Sequence, residues 1–213
     1  GSSLTLSSTE KHAIKADSVT VDSVTLDLTI TDSTVTINAT DKGITVTDEL
    51  TVEGNSKVTV VAGDEGLEGR YINLTGGTVD ITAGDDGINA TEWTTKDSAD
   101  TSSLTNSTSD LENEVGINID GATVTILADG DGIDSNGNVT VKSGSLYVAQ
   151  TSADNAAIDY DGTGIISGGT VWAIVTKEWL KPLQQVQASL ISWPTSLVVL
   201  EIPSQLQIVL EML

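Results

Sequence analysis

Residues 71–87 read YINLTGGTVDITAGDDG and residues 116–132 read GINIDGATVTILADGDG, the same pattern at an ungapped offset of 45 residues. Parts of this pattern recur in four further stretches, which read VTINATDKG (35–43), VTVVAGDEG (58–66), NVTVKSGSLYVA (138–149) and IISGGTVWA (165–173). Six degenerate units therefore cover about residues 12–174, with a period of 21–25 residues except for one step of 45. Repetition at this period indicates units that stack on one another.

The apolar residues within each unit predict short strands. They alternate in bursts, such as Ile72 with Leu74 and then Val79 with Ile81, and Gly-Gly or Asp-Gly pairs separate the bursts. Bursts of period two between turn residues are typical of strands. Three strands in a unit of about 22 residues match one coil of a solenoid. The sequence thus predicts an all-β fold, a right-handed single-stranded parallel β-helix of about six coils.

The domain organisation follows from where this pattern is interrupted. Residues 1–174 are predicted to form the β-helix, and the one long step holds a polar, aperiodic stretch at 91–115 that we interpret as an inserted loop. Beyond residue 175 the composition changes, because all three Pro and the single Met lie there and Asp and Gly are absent. Residues 175–213 are therefore predicted to be an atypical apolar segment.

Composition excludes several classes of function. The chain has 31 acidic and 9 basic residues, a net charge of −22, whereas nucleic acids and anionic membranes require clustered Lys and Arg. There is no Cys and only one His, His12, so Cys-based and His-rich metal sites are excluded. No apolar run is long enough for membrane insertion. The chain begins with Gly1 rather than Met, which fits either a removed export signal or an added N-terminal remnant.

An acidic pattern recurs at one position of the unit. Aligned on their Gly, the motifs DEGLE (64–68), DDGIN (85–89) and GDGID (130–134) predict two columns of oxygen ligands, one before the Gly and one after the following aliphatic residue. We predict that a metal ion is held by members of the set Asp64, Glu65, Glu68, Asp85, Asp86, Asn89, Asp129, Asp131, Asp134, Asp154 and Asp159.

The spacing of these carboxylates favours a hard cation. Strands in a sheet lie about 4.8 Å apart, and two carboxylates at that distance repel by roughly 3 kcal/mol at an effective dielectric constant near 20. A stack of them needs a cation, strongly raised pKa values or full solvation. Calcium, which takes six to eight oxygen ligands, fits better than magnesium. The alternative is that the Asp residues only form turns and keep the protein soluble.

Four ordered stretches resemble a known family. They read GDEGLEG (63–69), LTGGTVDITAGDDGINA (74–90), ADGDGIDSNGNVTV (128–141) and AIDYDGTGIISGGTVWA (157–173), and they are similar to bacterial secreted carbohydrate-binding domain proteins. The resemblance covers about residues 40–174 and implies a calcium-bearing parallel β-helix shaped like pectate lyases. It also implies an extracellular or cell-surface location and binding of cellulose or acidic, pectin-like polysaccharides such as polygalacturonate.

We therefore expect a non-catalytic, calcium-dependent polysaccharide-binding protein. The candidate carbohydrate contacts are Trp93, Tyr71, Arg70 and Tyr160, and Tyr147 and Trp172 are further aromatic residues in strands. For each aromatic residue, packing against the protein is an equal alternative to sugar contact.

Two other functions are alternatives. A calcium-dependent polysaccharide lyase on the same scaffold would need a basic residue as its base, and Arg70 or Lys142 could serve. A surface that binds ice or crystals would use outward Thr ranks, but the rank through Thr78 and Thr123 is interrupted by Lys57 and Ser145.

The C-terminal segment has two explanations. One back-translation of residues 177–184, KEWLKPLQ, gives GMAQAPS in a shifted frame, which is how the resembled family is expected to continue. A frameshift in the gene is therefore one hypothesis. The other is that the apolar segment caps the last coil, whose open end must be covered.

Overall fold

A computed structural model describes residues 2–16, 28–91, 115–176, 196–202 and 205–211. All regular elements in these ranges are strands, so none is a helix of the length and hydropathy that crossing a membrane requires. The strands are β1 (Ser3–Ser8), β2 (Ile14–Ala16), β3 (Leu28–Thr31), β4 (Thr34–Ala39), β5 (Ile44–Val46), β6 (Glu49–Glu53), β7 (Lys57–Ala62), β8 (Leu67–Gly69), β9 (Tyr71–Leu74), β10 (Thr78–Ala83), β11 (Ile88–Ala90), β12 (Gly116–Ala128), β13 (Ile133–Ser135), β14 (Asn138–Gln150), β15 (Gly164–Ile166), β16 (Thr170–Thr176), β17 (Ser196–Ile202) and β18 (Gln205–Glu211).

The strands pair in three parallel stacks, which confirms the prediction of an all-β protein built from parallel strands. The first stack runs β1-β4-β7-β10-β12-β14-β16, and the third runs β2-β5-β8-β11-β13. The second stack joins β3, β6, β9, β12, β14 and β15. The long strands β12 and β14 belong to both the first and the second stack, so these two stacks form one curled sheet. We call one strand from each stack, taken in chain order, a rung; β7, β8 and β9 are an example.

Strand register follows the sequence pattern closely. Ile81 of β10 pairs with Val60 of β7 and Ile126 of β12, so the 45-residue offset between the two quoted stretches reappears as the register of paired strands. A one-residue slip would turn every inward side chain outward, which fixes this register strongly.

The core consists of buried aliphatic columns that the stacks contribute. One inward column of the first stack, all of it buried, contains Val35, Val58, Val79, Val124, Leu146 and Val171. The third stack contributes Ile44, Leu67, Ile88 and Ile133, which have no exposed surface. Burying each such side chain stabilises the fold by about 1.5–3 kcal/mol. The core thus needs no Phe, which the chain lacks.

Glycine is required at the turn between the first and third stacks. A Cβ atom built on Gly87 would lie 2.5 Å from the carbonyl oxygen of Gly132 and would also collide with the side chain of Ile126. A Cβ atom built on Gly66 would likewise lie 2.6 Å from the carbonyl oxygen of Gly87. These distances are far below van der Waals contact, so the rungs can approach each other only because these residues have no side chain.

The predicted loop at 91–115 lies outside the described residues except for its ends, Thr91 and Val115. The amide of Thr91 donates to the carbonyl of Gly69, and the amide of Gly116 donates to that of Arg70, both at 3.0 Å. The two ends of the loop therefore meet consecutive residues of the preceding rung.

The C-terminal segment is described only in part, because residues 177–195 lie outside the described ranges. Strand β18 pairs antiparallel with β16, and β17 pairs antiparallel with β18. The described residues at this end of the chain thus form two antiparallel strands beside the last parallel strand. Both explanations of this segment, a frameshift product and a cap, stay predictions.

Candidate functional site

The acidic residues gather where the first stack turns into the third. We call residues 40–45, 63–68, 84–89, 129–134 and 151–159 the acidic corner. In it the amides of three aligned glycines donate to the carbonyl of the residue before the aligned Gly of the next rung: Gly43 to Glu65, Gly66 to Asp86 and Gly87 to Asp131, each at 2.9 Å. This backbone ladder places the residues before these glycines in one column, as the sequence predicted. The column begins with Lys42, continues through Glu65, Asp86 and Asp131, and ends with Ala156.

The second predicted column follows from the register of the third stack. Asn89 pairs with Glu68 on one side and with Asp134 on the other. Asp159 continues the column, because its amide donates to the carbonyl of Ile133 at 2.7 Å. The inward aliphatic residues before each of these polar residues set this order, since they fix which side chains face outward.

At one end of the corner, the carboxylates surround a lysine. Carboxylate oxygens of Asp64, Glu65 and Asp85 lie within 4.8 Å of one another. The Lys42 ammonium bonds Glu65 Oε1 at 3.1 Å and also donates to Glu68. Glu65 and Glu68 are 9% and 2% exposed. One oxygen of each, Glu65 Oε2 and Glu68 Oε1, is buried without a hydrogen-bond partner.

The close packing of carboxylates around Lys42 shifts the pKa values at this end of the acidic corner. Burial alone would lower the pKa of Lys42, but hydrogen bonding and attraction to Glu68 and Glu65 raise it overall, so the ammonium stays charged. The pKa of Asp64 rises from 3.8 to about 6, chiefly through burial and then through the nearby charge of Glu65. Lys42 is therefore the cation that already neutralises part of this group. The sequence signal for it was the DKG motif at 41–43, where the next three units have DEG, DDG and GDG.

At the other end, a second group has no lysine among its described contacts. Carboxylate oxygens of Asp131, Asp134 and Asp159 lie within 4.8 Å of one another. Burial is the main cause that raises the pKa of Asp86 to about 7 and that of Asp134 to about 6, and the surrounding carboxylates add to it. Burial and the charges of Asp159 and Asp85 also raise the pKa of Asp131.

Two of these carboxylates also hold the backbone of the next rung. Asp86 Oδ1 accepts the amide of Asp131 at 2.7 Å, and Asp131 Oδ1 accepts the amide of Ala156. Asn89 donates to Asp86 Oδ2 at 3.4 Å, while its own Oδ1 is buried without a partner. The corner therefore combines a turn-forming role with a set of oxygen donors.

The remaining predicted ligands lie beside the two groups. Asp129 is exposed and accepts a hydrogen bond from the Thr151 hydroxyl. Asp154 is an exposed turn residue with φ of 70°. The structure thus brings most of the predicted set together at the corner and places Asp129 and Asp154 at its rim.

The described residues among the predicted carbohydrate contacts are all partly buried. Arg70 bonds Asp48 through Nε at 2.8 Å and lies 5.2 Å from the centre of the Tyr71 ring. Tyr160 is half-buried and packs against the core. Trp93 lies outside the described residues. Lys142, the other basic residue considered for lyase chemistry, is exposed on β14.

The fold and the corner together define the class: an acidic all-β protein of stacked parallel strands with oxygen donors concentrated along one edge. The sequence model of a family described as carbohydrate-binding domain-containing protein matches residues 1–162. The chain belongs to this family, which confirms the prediction of a carbohydrate-binding domain. No curated protein and no solved structure matches the chain.

Proposed function

We propose that this protein is a non-catalytic, calcium-dependent polysaccharide-binding protein that acts outside the bacterial cell or on its surface. Membership of a carbohydrate-binding domain family over residues 1–162 carries the carbohydrate part of this proposal. Plant cell-wall glycans, namely cellulose or acidic, pectin-like chains such as polygalacturonate, are the proposed ligands. The net charge of −22 disfavours nucleic acid as a partner.

We further propose that the three stacks are the faces of a right-handed parallel β-helix of about six coils. The parallel pairing of each rung with the next supports it, because each rung would be one coil. The core columns support it too, since one aliphatic column runs from β4 to β16 through the middle of the stacks.

Calcium is proposed as the ion of the acidic corner. The residues fit it chemically, because carboxylate, amide and backbone oxygens are the ligands of a hard cation that takes six to eight of them. The raised pKa values of Asp86 and Asp134 support the proposal, since they reflect an energetic cost of keeping these carboxylates charged without a counter-ion. Asp131, Asp134 and Asp159 are the favoured ligands. The other group is less favoured because Lys42 is already paired with its member Glu65 and with the adjacent Glu68.

Thermal unfolding tests the calcium part. Calcium should raise the melting temperature relative to EDTA, because an ion that binds only the folded state stabilises it by about 2.7 kcal/mol at a hundredfold excess over Kd. Asp134→Asn should reduce this response more than Asp80→Asn, an equivalent change on β10 outside the corner. A melting temperature that is the same with calcium and with EDTA would refute the structural role of calcium.

Calorimetric titration tests the carbohydrate part. Polygalacturonate and a soluble cellulose derivative, each with calcium and with EDTA, separate the two ligand classes and reveal any calcium dependence. Absence of binding to either polymer in either condition would refute the proposed function. Release of unsaturated uronate products from polygalacturonate would instead support the lyase alternative.

A further inference from the structure

The outward side of the first stack is nearly uncharged. Its described outward residues lie in three ranks, which are Ser3-Thr34-Lys57-Thr78-Thr123-Ser145-Thr170, Thr5-Thr36-Thr59-Asp80-Thr125-Tyr147-Trp172 and Ser7-Asn38-Val61-Thr82-Leu127-Ala149-Ile174. Among them Lys57 is the one basic residue and Asp80 the one acidic residue. On a chain with net charge −22, a face this neutral is unusual and argues against a charged ligand.

Apolar and aromatic side chains are concentrated on the part of this face that β12, β14 and β16 form. Tyr147 pairs directly with Trp172, and their ring centres are 6.5 Å apart at 47°. Leu127 in the neighbouring rank is 46% exposed, and Tyr147 is 39% exposed. The core does not account for these rings, because Leu146 and Val171, beside them in the chain, are the residues that face inward and are buried.

We propose that Tyr147 and Trp172, with Leu127 beside them, form a stacking platform for an uncharged polysaccharide chain such as a β-linked glucan. The proposal rests on the carbohydrate-binding function proposed above and adds where the chain lies and which class of glycan it is. The platform is on the first stack, whereas the acidic corner lies at the turn from that stack into the third.

The chemistry of the two rings fits such a ligand. Pyranose rings present apolar C–H faces, and Tyr and Trp combine an apolar ring with a hydrogen-bonding O–H or N–H group that sugar hydroxyls can use. Thr125 lies next to Tyr147 in the same rank and offers a further hydroxyl. Because neighbouring strands are about 4.8 Å apart, a chain lying across them passes over both aromatic residues within a few sugar units.

The angle between the rings selects the form of the ligand. Two coplanar rings would suit the flat surface of a crystalline polysaccharide. Rings inclined at 47° do not form one flat surface, so a single chain that can contact each ring separately is the better ligand. The near-neutral face also disfavours uronate chains, because it offers Asp80 and only one lysine, three strands away from Tyr147. A soluble neutral glycan is therefore the expected ligand of this face.

Titration calorimetry of the full chain with soluble hydroxyethyl cellulose, in the presence of calcium, tests the platform. We expect binding by the unaltered protein, and about tenfold weaker binding for Tyr147→Ala and for Trp172→Ala, as loss of one aromatic contact predicts. Ile165→Ala, which removes an equally exposed apolar side chain from β15, should bind like the unaltered protein. Tyr147→Leu and Trp172→Leu keep apolar volume if the alanine variants fold poorly, and they should lose affinity too.

The outcomes separate this proposal from the proposed function. Binding of the neutral polymer with unchanged affinity in the folded Tyr147 and Trp172 variants would overturn the platform but leave carbohydrate binding intact. Binding of polygalacturonate alone would overturn it as well. Failure of the unaltered protein to bind either polymer, with or without calcium, would remove the proposed function and the platform together.

Discussion

Replacing Asp86 by Asn measures the electrostatic strain of the acidic corner. Asp86 is partly buried, and this burial together with the like charges of Asp85, Asp134 and Asp131 raises its pKa to about 7. The amide oxygen of Asn can still accept the hydrogen bond from the Asp131 backbone that Asp86 Oδ1 accepts at 2.7 Å. The substitution therefore removes the charge and keeps the contact with the next rung.

The magnitude follows from the pKa. A rise from 3.8 to about 7 corresponds to at most about 4 kcal/mol, and partial solvent exposure reduces it to about 1–2 kcal/mol. The folded protein binds the proton more tightly than the unfolded chain, so its stability falls as the pH rises from about 4 to about 7. In EDTA at pH 8, Asp86→Asn should be more stable than the unaltered protein by that amount, or by about 3–6 °C in Tm.

The assay is thermal unfolding in EDTA at several pH values between 4 and 8, with Asp80→Asn as the matched control. The difference between Asp86→Asn and the unaltered protein should disappear near pH 4, where Asp86 is protonated. A variant that is equally stable or less stable at pH 8, with a pH profile parallel to that of the unaltered protein, would refute the reasoning.

Three further changes have defined outcomes. Lys42→Met leaves Glu65 and Glu68 without their cation, so it should lower the free energy of unfolding in urea by about 2–4 kcal/mol at pH 8, and a variant as stable as the unaltered protein would contradict this. Gly87→Ala should destabilise by more than about 3 kcal/mol or prevent folding, because its Cβ meets the carbonyl of Gly132; normal stability in the same assay would disprove the close approach of the rungs. Deleting residues 92–114 leaves Thr91 and Val115 as a two-residue connection from β11 to β12, which is as long as the connection 136–137 from β13 to β14. The variant should therefore fold. A variant that is unfolded by circular dichroism would show that the loop packs as part of the body.

The sequence predicted the columns of the acidic corner because they depend on register alone. Inward Leu67, Ile88 and Ile133 fix which neighbouring side chains face outward, so Glu68, Asn89 and Asp134 had to become neighbours. The period of the apolar pattern carries this information without any side-chain geometry.

The contacts between side chains could not be predicted in the same way. Lys42 stood in the aligned column, but only its rotamer decides that the ammonium reaches Glu65 and Glu68 rather than solvent. The pairing of Tyr147 with Trp172 follows from register, whereas the inclination of their rings depends on packing. The alternation of apolar and polar residues in the sequence likewise could not predict that Asp129 lies at the rim while other carboxylates lie inside the corner.

The carboxylates of Asp86 and Asp131 each hold an amide of the following rung, at Asp131 and at Ala156. Unfolding of one turn therefore releases the anchor of the next, so this corner should open as one cooperative unit along the stack. In amide hydrogen exchange, the N–H groups of Asp131 and Ala156 would exchange through a shared opening event.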